Sequence, residues 1–193
     1  MRSLLTPERR KQTLQLWAGF FLCFGTLYFL LSWIPKLLVD AGLPLEQAIY
    51  AGIAFNLGGA AGNLGIGWAS TRFGLQRTVL VFQAIAALSM ILFALLPLAI
   101  AALLVLTTVM GFFQQGGFVG LYMVAARLYP AEIRTTGVGW GIGLGRFGAV
   151  TAPYAAGLLI AAGWDKSDLF LMFAAPLVLG GLVIVAMRAP SLR

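Results

Sequence analysis

Histidine is absent from this chain of 193 residues, and cysteine occurs once, as Cys23. A lone thiol excludes an internal disulfide framework and a thiolate metal site. With no histidine, no cysteine cluster and no Ser/His constellation, hydrolysis and metal chemistry have no residues to carry them. The chain therefore does not read as an enzyme, and neither cofactor nor metal is expected. Charge is scarce too: 10% of the residues are charged, against about 25% in soluble domains. The six acids, Glu8, Asp40, Glu46, Glu132, Asp165 and Asp168, all fall outside the long apolar runs. A proton-coupled carrier needs a protonatable group inside the membrane, and these residues supply none.

What is present is apolar: 61% of the chain is hydrophobic, which makes it an integral membrane protein. Runs of about 20 apolar residues are long enough to cross a bilayer. Six are expected, at Leu14–Leu38, Ala48–Thr71, Thr78–Leu96, Leu98–Ala126, Thr136–Ala162 and Leu169–Met187. The third and fourth come from a charge-free stretch of 49 residues, too long for one crossing, divided near Pro97. The organisation is a leader at 1–13, a six-helix domain at 14–187 and a tail at 188–193. The leader is basic but lacks the apolar core and small-residue cleavage site of a signal peptide.

The net charge of +7 does not mark a nucleic-acid partner, because the cations sit between spans instead of forming one patch. Ten basic residues fall on the side of the termini, and only Lys36 and Lys166 on the other. That bias places both termini in the cytoplasm, in a plasma membrane that for a bacterial protein is the inner one.

One cation sits inside a span. Arg146 lies ten residues into the fifth, about 15 Å deep at 1.5 Å per residue, near the middle of a hydrocarbon core about 30 Å thick. Such a placement costs at least about 2.5–3.5 kcal/mol, so the residue is expected to face a cavity or a partner. A guanidinium offers a planar fork that matches a carboxylate. The other reading of Arg146 is structural, satisfying carbonyls or an acid supplied from elsewhere. Tyr28, Asn56 and Gln114 are further candidates to border a substrate. Of Gln114 and Gln115, one is expected to face the cavity and the other a neighbouring helix. The third and sixth spans carry few polar groups and read as lipid-facing supports. The string GLGRFG at 143–148 has dinucleotide-fingerprint spacing but follows no strand, which removes that reading. Gly137, Gly141 and Gly145 recur every four residues, a spacing that lets helices approach closely.

Three segments resemble the C-terminal half of the major facilitator superfamily. GWASTRFGLQR (67–77) resembles its short basic loop G-x-x-x-D-R-x-G-R-[RK], keeping Gly67, Arg72, Gly74 and Arg77 but with Thr71 in place of the acid. LYPAEIRTTGVGWGIGLGRFGAVTAPY (128–154) and LYFLLSWIPKLLVDAGL (27–43) are similar to segments of the aromatic acid:proton symporters. The resemblance implies an all-α fold of six transmembrane helices in two three-helix repeats, forming one half of a twelve-helix carrier. The leader resembles the end of that family's central linker. Implied partners are the lipid bilayer, an N-terminal six-helix half on the same or a separate chain, a small carboxylate substrate and protons. Arg72, Gly74, Arg77, Glu132 and Arg134 are then expected at a cytoplasmic gate, Glu132 and Arg134 as an ion pair. Sialic acid and other metabolites remain open as substrates, as do a non-transporting six-helix scaffold and an inactive carrier fragment.

Overall fold

A computed structural model describes residues 4–7 and 9–187; Met1 to Ser3, Glu8 of the leader and the expected tail at 188–193 lie outside the described residues. Those described form six α-helices: α1 (Arg10–Asp40), α2 (Leu45–Phe73), α3 (Leu75–Leu95), α4 (Ile100–Leu128), α5 (Ala131–Ala161) and α6 (Lys166–Val185). Five of the described helices are long and apolar enough to cross a membrane. The exception is α2, as long as α4 at 29 residues but interrupted by Asn56 and Asn63.

Most helices start earlier than hydropathy suggests, because the backbone ladder continues after side chains turn polar. Helix α5 starts at Ala131, behind Pro130, not at Thr136. Proline suits this position, since its fixed φ fits a helix entry. Helix α6 starts at Lys166 because Asp165 and Asp168 form a reciprocal capping box, satisfying donors left free at the helix start.

Neighbouring contacts fix how the helices run. Phe20, Phe24 and Trp33 of α1 meet Gly141, Gly145 and Gly157 of α5 in that order, so these two helices are parallel. Gly58 and Gly62 of α2 meet Thr108 and Phe112 of α4, again parallel. In α3 and α6, Gln76 reaches the carbonyls of Ile184 (2.7 Å) and Met187 (2.9 Å), while Ser167 donates to Ala94 O (2.9 Å), so this pair is antiparallel. Successive helices therefore alternate in direction, as successive crossings require. Arg9, Arg10, Lys11, Arg72, Arg77, Arg127 and Arg134 lie at one end of the bundle, hereafter the basic end, and Lys36 and Lys166 at the other.

The closest pairings are α2 with α4, α1 with α5 and α3 with α6, followed by α3 with α4 and α1 with α6. Exchanging α1–α2–α3 for α4–α5–α6 turns this pattern into itself, the relation expected of two three-helix repeats.

The third span differs from expectation. Helix α3 buries as large a share of its apolar window as α1, whereas α5 buries the smallest share of the five. Gln83 is the reason α3 is not a plain support: it is buried and its Nε2 donates to Cys23 Sγ on α1 at 2.6 Å.

Candidate functional site

Arg146 is the central residue of α5, with fifteen residues on each side between Ala131 and Ala161. Its helix therefore carries it about 22 Å from either end at 1.5 Å per residue. The side chain is exposed on the bundle surface and is held from α1. Arg146 Nη1 donates to Tyr28 Oη at 2.7 Å. Its Cζ lies 5.6 Å from the Phe24 ring centre and 5.7 Å from that of Tyr28. A cation over aromatic faces is attracted by about 0.5–1 kcal/mol at an exposed site.

The rings around it form one cluster. Phe20, Phe24 and Tyr28 succeed one another at four-residue steps along α1, so they share a face. Phe24 stacks on Tyr28 at 6.1 Å and meets Phe118 of α4 edge-on at 4.7 Å. Phe118 meets Tyr122 at 5.3 Å, and Tyr122 closes the ring of contacts on Phe20 at 5.2 Å. Tyr28, Phe118 and Tyr122 are all partly open. Sequence reasoning named Tyr28 but missed Phe24, Phe118 and Tyr122. The four-residue spacing of Phe20, Phe24 and Tyr28, repeated by Phe118 and Tyr122, was the available signal.

The glycines named from the sequence meet neighbouring side chains, two of them in the packing of α5 on α1. A Cβ at Gly141 or Gly145 would strike the Phe20 or Phe24 ring, and one at Gly137 the Tyr129 ring. They are seats for aromatic rings, not points of backbone contact. Close backbone approach occurs instead at Gly148, against Phe21 O, and between α2 and α4 at Gly58, Gly62 and Gly111.

Gln114 does not reach an open face. It is fully buried, and its Nε2 lies 3.5 Å from Cys23 O on α1. Gln115 turns toward α2, with Nε2 3.5 Å from Phe55 O. Both glutamines thus face neighbouring helices. Asn56 is exposed but folds back onto its own helix, donating to Gly52 O at 2.9 Å. Trp33 donates through Nε1 to Pro153 O at 3.1 Å and so ties α1 to α5.

At the basic end, Gly74 joins α2 to α3 with φ +81°, a conformation that a Cβ strongly disfavours. Arg72 lies over the Trp68 ring at 5.6 Å, and Arg77 is exposed. The expected ion pair between Glu132 and Arg134 is not formed. Arg134 Nε donates to Tyr129 O at 3.3 Å instead, which satisfies the carbonyl at the end of α4. Among the described residues no three His, Cys, Asp or Glu side chains come together as a group that could hold a metal ion.

The chain that folds into this six-helix unit has relatives among known proteins. The Major Facilitator Superfamily profile matches residues 9–192. The chain belongs to this superfamily. It is 32% identical to the gallate transporter of Pseudomonas putida over 192 residues, covering 100% of this chain and 43% of that protein. It is 30% identical to the 4-hydroxybenzoate transporter PcaK of the same organism, covering 90% of this chain and 39% of the relative. With the 3-(3-hydroxy-phenyl)propionate transporter of Escherichia coli strain K12 it shares 31% identity, over 100% of this chain and 48% of that one. The chain thus spans less than half the length of these relatives. As a superfamily member with membrane-crossing helices it is an integral membrane protein, and its relatives are transporters, not enzymes.

Proposed function

We propose that these six helices form one half of a secondary carrier that moves aromatic carboxylates across the plasma membrane together with protons. The observation that carries this reading is the Arg146–Tyr28 hydrogen bond at mid-helix. Tyr28 Oη accepts from the guanidinium, so its own proton is free to be donated. A carboxylate placed beside Arg146 takes donors from both groups, and the Phe24, Phe118 and Tyr122 rings stand beside it to pack against an aromatic body. The three relatives, named for gallate, 4-hydroxybenzoate and a hydroxyphenyl propionate, support an aromatic acid as the substrate.

Arg146 is exposed because, apart from its contacts with α1, the face of α5 that carries it is left uncovered by the described residues. Gly139 and Gly143 on the same helix have nothing within 4 Å of a built Cβ, which suits a helix of a second six-helix half. Proton coupling belongs to that half, on the same or a separate chain, since the acids here lie outside the spans. The positive-inside bias supports cytoplasmic termini.

The test is substitution of Arg146 in a complete carrier containing these helices. Arg146→Lys keeps the charge but loses the planar fork, and Arg146→Ala loses both. Uptake of an aromatic acid is expected to fall strongly in the first and vanish in the second, with expression retained. A charged hydrogen bond contributes about 1.5–3 kcal/mol, so affinity is expected to drop on the order of tenfold to a hundredfold. The corresponding aromatic amide is bound weakly by wild type and Ala variant alike. Unchanged affinity for the acid in the Ala variant refutes the assignment.

A further inference from the structure

The bundle has a second cationic feature, far from Arg146 and of different make. At the basic end, the last turns of α2 and the first turns of α3 enclose a groove of about 580 Å³. Its lining joins Arg72 and Arg77 to Phe73, Val81 and Phe82. The positive φ of Gly74 produces the sharp reversal that brings both arginines to one mouth. Among the described residues no carboxylate lies within ion-pair distance of either guanidinium. The neighbouring position that could have held an acid is Thr71, whose hydroxyl is used within its own helix, donating to Trp68 O at 2.7 Å. Arg72 is kept over the Trp68 ring, a contact that orients the guanidinium without neutralising it.

The floor of the groove is apolar and open. Phe73 is 63% exposed and Val81 51%. Val81 lies one turn further along α3 than Arg77, hence about 6 Å nearer the bilayer centre at 1.5 Å per residue. The groove therefore presents two cations at the depth of the headgroups and hydrocarbon below them. Inorganic phosphate or another small anion matches only the upper part, and a neutral lipid only the lower.

We propose that this groove binds an anionic phospholipid. Arg72 and Arg77 hold the phosphate, for which the guanidinium fork is suited, and one acyl chain lies along Val81 and Phe82. Basic pockets between transmembrane helices on the cytoplasmic side recognise anionic headgroups by this combination. The inference is independent of the substrate assigned to Arg146, since it requires only that the bundle sits in a membrane.

Native mass spectrometry of the full chain in a zwitterionic detergent tests it, with phosphatidylglycerol, phosphatidylcholine and glycerol 3-phosphate as the probes. Phosphatidylglycerol is expected to give a discrete one-lipid adduct that survives activation, with phosphatidylcholine binding at least tenfold more weakly. Glycerol 3-phosphate, which has the headgroup anion without chains, should fail to displace it at equal concentration. The double variant Arg72→Gln/Arg77→Gln should lose the adduct by tenfold or more, and Arg127→Gln, at the same end but outside the groove, should keep it. Val81→Trp, which fills the floor and leaves both arginines, should lose the adduct as well. Equal binding of phosphatidylcholine, full displacement by glycerol 3-phosphate, an equal loss in Arg127→Gln, or an adduct retained in Val81→Trp each overturns the proposal. All substituted side chains are at least partly exposed, and circular dichroism of each variant verifies that the helices remain.

Discussion

Tyr28 on α1 accepts a 2.7 Å hydrogen bond from Arg146 on α5, across 118 residues of sequence. The bond fixes the direction of the guanidinium on a helix surface where little else touches it. It also leaves the phenol with one proton to give, so the pair acts as a single two-residue donor set.

Tyr28→Phe removes that donor and leaves the charge. In a complete carrier, affinity for an aromatic acid is expected to fall about tenfold, the scale of one hydrogen bond to a charged group. Made in the Arg146→Ala background, the same change should add little, because two residues of one network do not act independently. Equilibrium binding of the acid to wild type, the two single variants and the double variant measures this, and full additivity would separate Tyr28 from the arginine.

The glycines divide into two classes that alanine substitution distinguishes. A Cβ at Gly62 would strike the Phe112 carbonyl of α4, whereas Gly143 has open space around it. Gly62→Ala is expected to destabilise the chain by about 1–3 kcal/mol through overpacking. Gly143→Ala removes a flexible residue from a helix and is expected to stabilise it by about 0.5–1 kcal/mol. Thermal unfolding in detergent, followed by circular dichroism, should show opposite signs.

The alternating helix directions and the basic end lead to a labelling prediction. Cysteines replacing Arg72 or Arg134 are expected to react only from the cytoplasmic side, and one replacing Lys166 only from outside. The native Cys23 is buried and should contribute little background. Labelling of the 72 and 166 positions from the same side would break the six-crossing arrangement.

Proton coupling gives a prediction about dependence. The chain reconstituted alone in liposomes is expected not to accumulate an aromatic acid when a pH gradient is imposed. Joined to or co-expressed with an N-terminal half, it should do so. Accumulation by the chain alone would place the coupling group within these helices after all.

The number and order of helices were readable because apolar runs and polar turns mark where the chain enters and leaves a bilayer. Their ends were less so: hydropathy drops at Thr135 and Arg134, but backbone hydrogen bonding continues to Ala131. Arg146 stood out because a charge in an apolar run needs a reason, and Tyr28, which the structure brings to it, because it is polar in one too. Gln114 failed for the complementary reason. In a helix apolar on nearly every side, nothing in the sequence distinguishes the buried face from the open one, and Gln114 and Gln115 point only about 100° apart. The ring seats at Gly141 and Gly145 required knowing that α1 would offer Phe20 and Phe24 at the same four-residue step.

Arg146 stands fifteen residues from each end of α5, and that equality has a kinetic meaning. On the proposed carrier reading, an anion held there has the same length of helix on either side, so the position of the site along α5 gives it no preferred exit, and the sense of net flow would be set by the gradients across the membrane.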